Sequence, residues 1–359
     1  MQIRKPTYAQ KIVVIFLLSL ITLSSPVYAN ESQLPEAPIF IDGQAITTKY
    51  IMRNGHLLVP AIFLKHTGTY VDWNEQYRSV VFRVNNTMFA LPVGKNYSDD
   101  FVNGLWQRSA LPTETLEFNG EPFVPLVSVA RKLGMGVRYD PVLNRTFITS
   151  TITIKSNTIM KANTDVKLVA LTFDDGPESH YTPQILDILK AKGVPATFFV
   201  MGKQIEAFPD QMKRMVNEGH GIANHTWNHP NLRRVWTAKV RDEILSTQMQ
   251  MEKVVGRKPD LFRPPFGAIT KADVAVLNEL GLRNIMWSVD TLDWSGLSGD
   301  EILKIVERDI TPGGIILQHN FQSHERLLDG TIEALPKIID ELRARGYKFV
   351  TVQTLLANN

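Results

Sequence analysis

The sequence predicts an α/β fold built on parallel strands for its second half, preceded by a small duplicated α+β module. Three observations lead there. From Lys167 onward, seven apolar, β-branched runs alternate with helix-like stretches, the pattern of a parallel sheet covered by helices. Glycines stand where those helices should stop. Before Lys167, one seven-residue motif occurs twice, 65 residues apart. A closed or nearly closed barrel is the first expectation for the second half, and an open doubly wound sheet is the alternative.

The strands are expected at Leu168–Phe173, Ala196–Met201, Gly221–Asn224, Asp260–Arg263, Asn284–Val289, Gly314–Gln318 and Lys348–Val352. Helices are expected at Thr182–Lys192, Lys203–Glu218, Ala238–Val255, Lys271–Leu280, Asp300–Asp309 and Thr331–Arg345. Gly193, Gly219, Gly256, Gly281 and Gly346 mark their ends.

The duplicated module spans residues 30–150. Asn54-Gly55-His56-Leu57-Leu58-Val59-Pro60 returns as Asn119-Gly120-Glu121-Pro122-Phe123-Val124-Pro125. Each copy runs into an apolar helix-like stretch, then a glycine, an aromatic (Trp73, Tyr139) and a β-rich run. Asn-Gly before such a run marks a turn and strand, so each copy reads as hairpin, short helix, hairpin. His56 and His66 have no counterparts in the second copy, so no metal site is expected here. Residues 151–166 are rich in Ser, Thr, Asn and Lys and read as a linker that opens as a strand.

Residues 1–29 have the form of a secretory signal. Arg4, Lys5 and Lys11 give a basic start, Ile12–Leu23 is apolar, and Pro26-Val27-Tyr28-Ala29 offers a cleavage site. An uncleaved anchor is the alternative. Either form puts the rest of the chain outside the cell, secreted or held at the surface or wall, and no later apolar segment is long enough to span a membrane. Three of the 39 basic residues and none of the 36 acidic ones lie in this segment, which leaves 36 against 36. A near-neutral chain gives no argument for nucleic-acid binding. With no cysteine there is no disulfide, thiolate metal site or thiol nucleophile.

The polar residues that carry chemistry cluster just after the predicted strands. Asp174 and Asp175 follow the first, His225 and His229 the third, Arg263 ends the fourth, Asp290 and Asp293 follow the fifth, and His319 the sixth. Active sites of parallel α/β folds lie at these carboxyl ends. Two His and a carboxylate suit Zn²⁺ first, with Co²⁺ or Ni²⁺ as alternatives. His225 and His229 are four apart, so one helical turn would aim both at one ion.

Five ordered segments resemble the motifs of the polysaccharide deacetylase family, carbohydrate esterase family 4, with its NodB-homology domain. They are Thr172-Phe173-Asp174-Asp175-Gly176-Pro177, His225-Thr226-Trp227-Asn228-His229, Arg263-Pro264-Pro265-Phe266-Gly267, Asp290-Thr291-Leu292-Asp293-Trp294 and Leu317-Gln318-His319. The resemblance covers about 167–355 within a catalytic domain at 167–359, and it implies a distorted (β/α)₇ barrel. The duplicated module resembles the copper amine oxidase N-terminal-like domain, which implies a non-catalytic role.

The family resemblance implies that Asp175, His225 and His229 bind the metal and that Asp174 is the base. Arg263 would then hold Asp174 ionised. The backbone N–H of Phe266, where many relatives carry Tyr, is implied for the oxyanion. His319 is the natural general acid, oriented by Asp293. Trp294 and Leu317 resemble the walls of an acetyl-methyl pocket. Asp290 and His324 receive no role. The expected activity is hydrolysis of N-acetyl groups on an amino-sugar polymer, peptidoglycan first, with chitin fragments or poly-N-acetylglucosamine also compatible. An O-acetyl xylan esterase and a carbohydrate-binding wall protein are the alternatives. All the proposed catalytic residues lie beyond Lys167, so a chain starting near Asn163 is expected to fold and keep its chemistry.

Overall fold

The computed structural model describes residues 34–322 and 327–357; the signal-like segment and His324 lie outside them. The second half is a parallel sheet curled into a half-barrel. Its strands run in the order Thr158–Ile159, Arg283–Ile285, Leu261–Phe262, Gly221–Asn224, Thr197–Val200, Leu168–Asp174, Gly314–His319 and Val289–Asp290. Lys348–Phe349 also pairs with Leu168–Val169. Only Met286–Ser288 joins strand Arg283–Ile285, near one end, to Val289–Asp290 at the other. Ile285 and Val289 are four residues apart, a reach of about 14 Å at most, so the two edges must bend toward each other.

All seven predicted strands are present, and the fifth is split at Met286–Ser288, where backbone carbonyls turn to other work. The stretch Lys203–Glu218, expected as one helix, is two: Gly202–Ala207 and Pro209–Asn217. Pro209 lacks an N–H and fits the first turn of a new helix, not the interior of an old one. A last helix, Val352–Ala357, was not expected. It packs with Ala170, Phe199, Ala223 and Ile315 in one core cluster, while Val169, Leu171, Phe173, Phe198 and Ile316 belong to another, shared with the covering helices. The two-residue strand period thus sends alternate side chains to opposite faces. Ala170, Thr172 and Asp174 share a face by that same period.

The module is built from two hairpin–helix–hairpin copies. Asn54-Gly55 and Asn119-Gly120 all have positive φ, as tight hairpin turns require. The copies pair with each other through Leu58–Pro60 and Phe123–Pro125. Each then enters a short helix, Ala61–Thr67 and Leu126–Lys132.

The two halves interlock, against the expectation of separable parts. Lys65, on the module's first helix, is fully buried and ion-paired to the equally buried Asp273 at 2.7 Å. Its ammonium also donates to Leu232 O and Val235 O at 2.7 and 2.8 Å. Val71 exchanges two hydrogen bonds with Thr237 Oγ1, Tyr70 bonds Glu279, and Trp73 stacks on Trp236. The linker is part of the barrel: Thr158–Ile159 pairs in parallel with Asn284–Ile285. A chain cut near Asn163 would lose that strand and leave Asp273 buried without its cation.

Candidate metal and catalytic site

Strand Leu168–Asp174 delivers the first two carboxylates. Asp174 is still in the strand and Asp175 turns out of it with φ +82°. Asn320 holds the turn, donating its N–H to Asp174 O and accepting from Gly176 N–H, each at 3.0 Å. Asn320 packs so close that a Cβ on residue 176 would fall 2.2 Å from its Nδ2, which requires glycine there.

His225 follows strand Gly221–Asn224, and its Nδ1 lies 2.8 Å from Arg263 O. A carbonyl only accepts, so Nδ1 carries the proton and Nε2 keeps a free lone pair. No helix joins His225 to His229, contrary to expectation. The chain makes a tight loop instead, with φ +69° at Thr226 and +60° at His229. Glu243, almost fully buried, fastens this loop. Its Oε2 accepts from the N–H groups of Trp227 and Asn228 at 3.0 and 2.7 Å.

The Nε2 atoms of His225 and His229 lie 3.3 and 3.1 Å from Asp175 Oδ1. Three ligand atoms around one ion at zinc-like bond lengths of roughly 2.0–2.2 Å sit about 3.0–3.4 Å apart. Asp175 Oδ1 is buried without a hydrogen bond, as an atom reserved for a cation would be. The donor set therefore fits a divalent ion. Among the described residues, this trio is the one group of His and carboxylates that close to a common point.

Arg263 is completely buried under the site. Its Nη1 donates to Asp174 Oδ1 at 2.6 Å and to Thr172 Oγ1 at 2.9 Å. Nε and Nη2 donate to Ile285 O and Met286 O, at the break in the fifth strand. With one oxygen held, Asp174 presents Oδ2 toward the trio, 3.9 Å from His225 Nε2.

Asp174 and His319 are register partners on adjacent strands, so they face the site side by side. Asp293 clamps His319 twice, accepting from its backbone N–H at 2.8 Å and facing its Nδ1 at 2.7 Å. Thr331 Oγ1 donates to Asp293 from the far side at 2.8 Å. The proton on Nδ1 is thereby fixed, and Nε2 is left for a substrate. Burial lowers the imidazolium pKa, and the charge and hydrogen bond of Asp293 outweigh it, raising the pKa to about 9.

A pocket of about 560 Å³ opens over these groups. Phe266, Trp294 and Leu317 line it, as do Met201, Trp287 and Phe321, which the motifs did not single out. Phe266 has φ +59° and is 69% exposed, its ring edge-on to His229. Asp290 also lines the pocket, with one oxygen accepting from Leu292 N–H.

Among the described residues, twelve besides glycine have positive φ. Seven lie in the module and the other five are Asp175, Thr226, His229, Phe266 and Leu292. Each of these five is a site residue or its neighbour. Such backbone strain concentrates where geometry must be imposed on a functional group.

The family model for polysaccharide deacetylase matches residues 161–285, and that for the copper amine oxidase N-terminal domain matches 40–148. A peptidoglycan-N-acetylglucosamine deacetylase of Bacillus cereus is 43% identical over 52% of this chain and 67% of its own length. One from Listeria monocytogenes is 38% identical over 59% of this chain, which spans only 43% of that protein. The crystal structure of a peptidoglycan N-acetylglucosamine deacetylase with a bound N-oxidanyl-benzamide is 40% identical. It superposes with a TM-score of 0.55 over 56% of this chain and 94% of that one. The curled parallel sheet is the distorted (β/α)₇ barrel of these enzymes, and the chain belongs to the polysaccharide deacetylase family, hydrolases of N-acetyl amide bonds.

Proposed function

We propose that this chain is a secreted, metal-dependent deacetylase that removes acetyl groups from N-acetylglucosamine residues of peptidoglycan. The observation that carries the reading is the trio Asp175, His225 and His229 set between two charged pairs, Asp174–Arg263 and Asp293–His319. The names of the relatives supply the substrate class. The basic, apolar, small-residue order of residues 1–29 supports export.

Asp175, His225 and His229 would hold the ion. When bound it polarises the acetamide carbonyl and makes a water acidic enough to ionise near neutral pH. Asp174 takes a proton from the attacking water through Oδ2, while Arg263 keeps Oδ1 occupied and the carboxylate charged. The Phe266 N–H supports the carbonyl oxygen as it becomes negative. His319, protonated on both nitrogens, gives the Nε2 proton to the departing amine as the C–N bond breaks. Acetate and a free amino sugar result, and Asp293 holds the ring still throughout. Trp294 and Leu317 present apolar surface where the acetyl methyl must lie.

Acetate release from peptidoglycan, chitooligosaccharides and acetylxylan, with and without a strong chelator, tests the reading. Release from peptidoglycan that chelation abolishes and Zn²⁺ or Co²⁺ restores is expected. Full activity in metal-free protein, or release from acetylxylan alone, would overturn it.

A further inference from the structure

A second cavity, of about 910 Å³, lies between the module and the barrel. It is larger than the pocket over the metal trio, and neither half forms it alone. Gln44, Lys49 and Glu121 line it from the module, and Arg233, Arg234 and Lys271 from the barrel.

The barrel wall of this cleft continues the catalytic loops. Arg233 and Arg234 follow His229 by four and five residues, and Lys271 follows Phe266 by five. Four residues span at most ~14 Å, so the cleft begins within a few sugar rings of the metal trio. Arg233 Nε donates to Ile269 O and joins the two loops. Lys65 fastens both to the module, so the walls are fixed relative to the catalytic groups.

The lining suits a charged glycan. Among the described residues, no hydrogen bond engages the side chains of Gln44, Lys49, Glu121 or Arg234. Glu121 is half-buried between the charges of Lys49 and Arg234. Amide, carboxylate and guanidinium groups can bond the hydroxyls and acetamides of a sugar chain. The Trp236 ring, stacked on Trp73, adds an aromatic surface at the edge of the cleft. With Lys271 already ion-paired to Asp42, Lys49, Arg233 and Arg234 still outnumber Glu36 and Glu121. This excess favours a polymer with carboxylates along its length over a neutral one.

We propose that the cleft is a distal subsite that holds an anionic, acetylated amino-sugar strand while one of its residues occupies the metal pocket. The proposal rests on the deacetylase reading above. It gives the module a part in choosing the substrate: Lys49 and Arg234 grip carboxylates, and Glu121 and Gln44 grip hydroxyls and amides.

The test reverses two charges outside the catalytic machinery, in the full chain carrying Lys49→Glu and Arg234→Glu. On solubilised peptidoglycan strands, KM should rise about tenfold with kcat unchanged, the size of effect expected from two exposed ion pairs. On a short neutral chitooligosaccharide, both constants should match the parent's. The milder Lys49→Gln/Arg234→Gln chain should show a smaller rise in the same direction, and salt should raise the parent's KM on peptidoglycan alone. Unchanged KM on peptidoglycan, or an equal rise on both substrates, overturns the subsite. Co-sedimentation of chelator-treated protein with insoluble peptidoglycan reads the cleft without catalysis. Equal sedimentation of parent and variant overturns the subsite, whereas failure of the parent to release acetate from any substrate overturns only the deacetylase reading.

Discussion

Replacing Lys65 with methionine tests the join between the two halves. Methionine nearly fills the volume of the lysine stem but carries no charge. Asp273 would then be a buried carboxylate with one oxygen unpaired, because its other oxygen already accepts from Thr270 N–H and Oγ1 at 2.9 and 2.6 Å. Breaking a buried pair from one side costs about 3–5 kcal/mol. The carbonyls of Leu232 and Val235 lose the ammonium donor as well, adding up to ~1–3 kcal/mol, since Leu232 O keeps only a long bond from Val235 N–H and Val235 O is part-buried. Against a total stability on the order of 5–15 kcal/mol, that is a large share. The same change loosens the segments that follow His229 and Phe266. Thermal unfolding of the full chain should therefore shift down by about 10 °C. The absorption spectrum of the Co²⁺-loaded protein should change, since it reports the ligand geometry at His229. Adding Asp273→Asn should restore much of the stability by removing the stranded charge. If Lys65→Met melts with the parent and leaves the Co²⁺ spectrum untouched, the buried ion pair does not join the module to the site.

Asp174→Asn should keep its metal and lose about 10²–10⁴-fold in turnover, whereas Asp175→Ala should lose metal too; metal analysis of both purified proteins decides which carboxylate is the ligand. The raised pKa of His319 means its acid form is present below about pH 9 and lost as pH rises through that value, so the alkaline limb of kcat should fall there. Asp293→Asn removes the charge that opposes burial and should move that limb to lower pH; an unmoved limb would show that Asp293 does not tune the acid. Glu243→Gln weakens the hold on the Trp227 and Asn228 N–H groups and should cost about tenfold in metal affinity, measured by competition with a chelating dye. A chain beginning near Asn163 should be insoluble, or inactive on every substrate; a soluble, fully active product would show that the interlocked face is dispensable.

Residues acting through short contiguous motifs were legible in the sequence. The Asp174-Asp175 and His225–His229 segments sit where strands end, and strand ends are readable from hydrophobic runs. Residues whose partners are distant in sequence were not. Lys65 meets Leu232, and Thr331 meets Asp293, 38 residues before it. Nothing near either residue marks it as anything but a lysine or threonine on an apolar helix. The His225–His229 spacing suggested a helical turn because spacing carries no sign of φ; the positive φ at Thr226 and His229 makes a loop that reaches the same end. A strand was expected where the linker opens, at residue 151, but the residues that join the sheet are Thr158 and Ile159, further along it. Pro209 marks the break within Lys203–Glu218, although the amphipathic pattern runs on through it.

The interlocked face also sets an order of assembly. Lys65 and Leu232 are 167 residues apart, and Asp42 and Lys271 are 229 apart. Enlarging a loop costs little in stability, roughly 0.6 kcal/mol for each doubling, but distant contacts are slow to form. During synthesis the last strand of the module, Arg145–Thr149, is made well before Leu232, Val235 and Asp273, the barrel partners of Lys65. Lys65 then waits for the helix at 271–279 before its ammonium is buried. Docking is therefore a late step, and the loops beyond His229 and Phe266 take their final form only when it is done. A molecule stalled before docking would have an unfinished metal site, so the ability to take up metal would mark completed assembly.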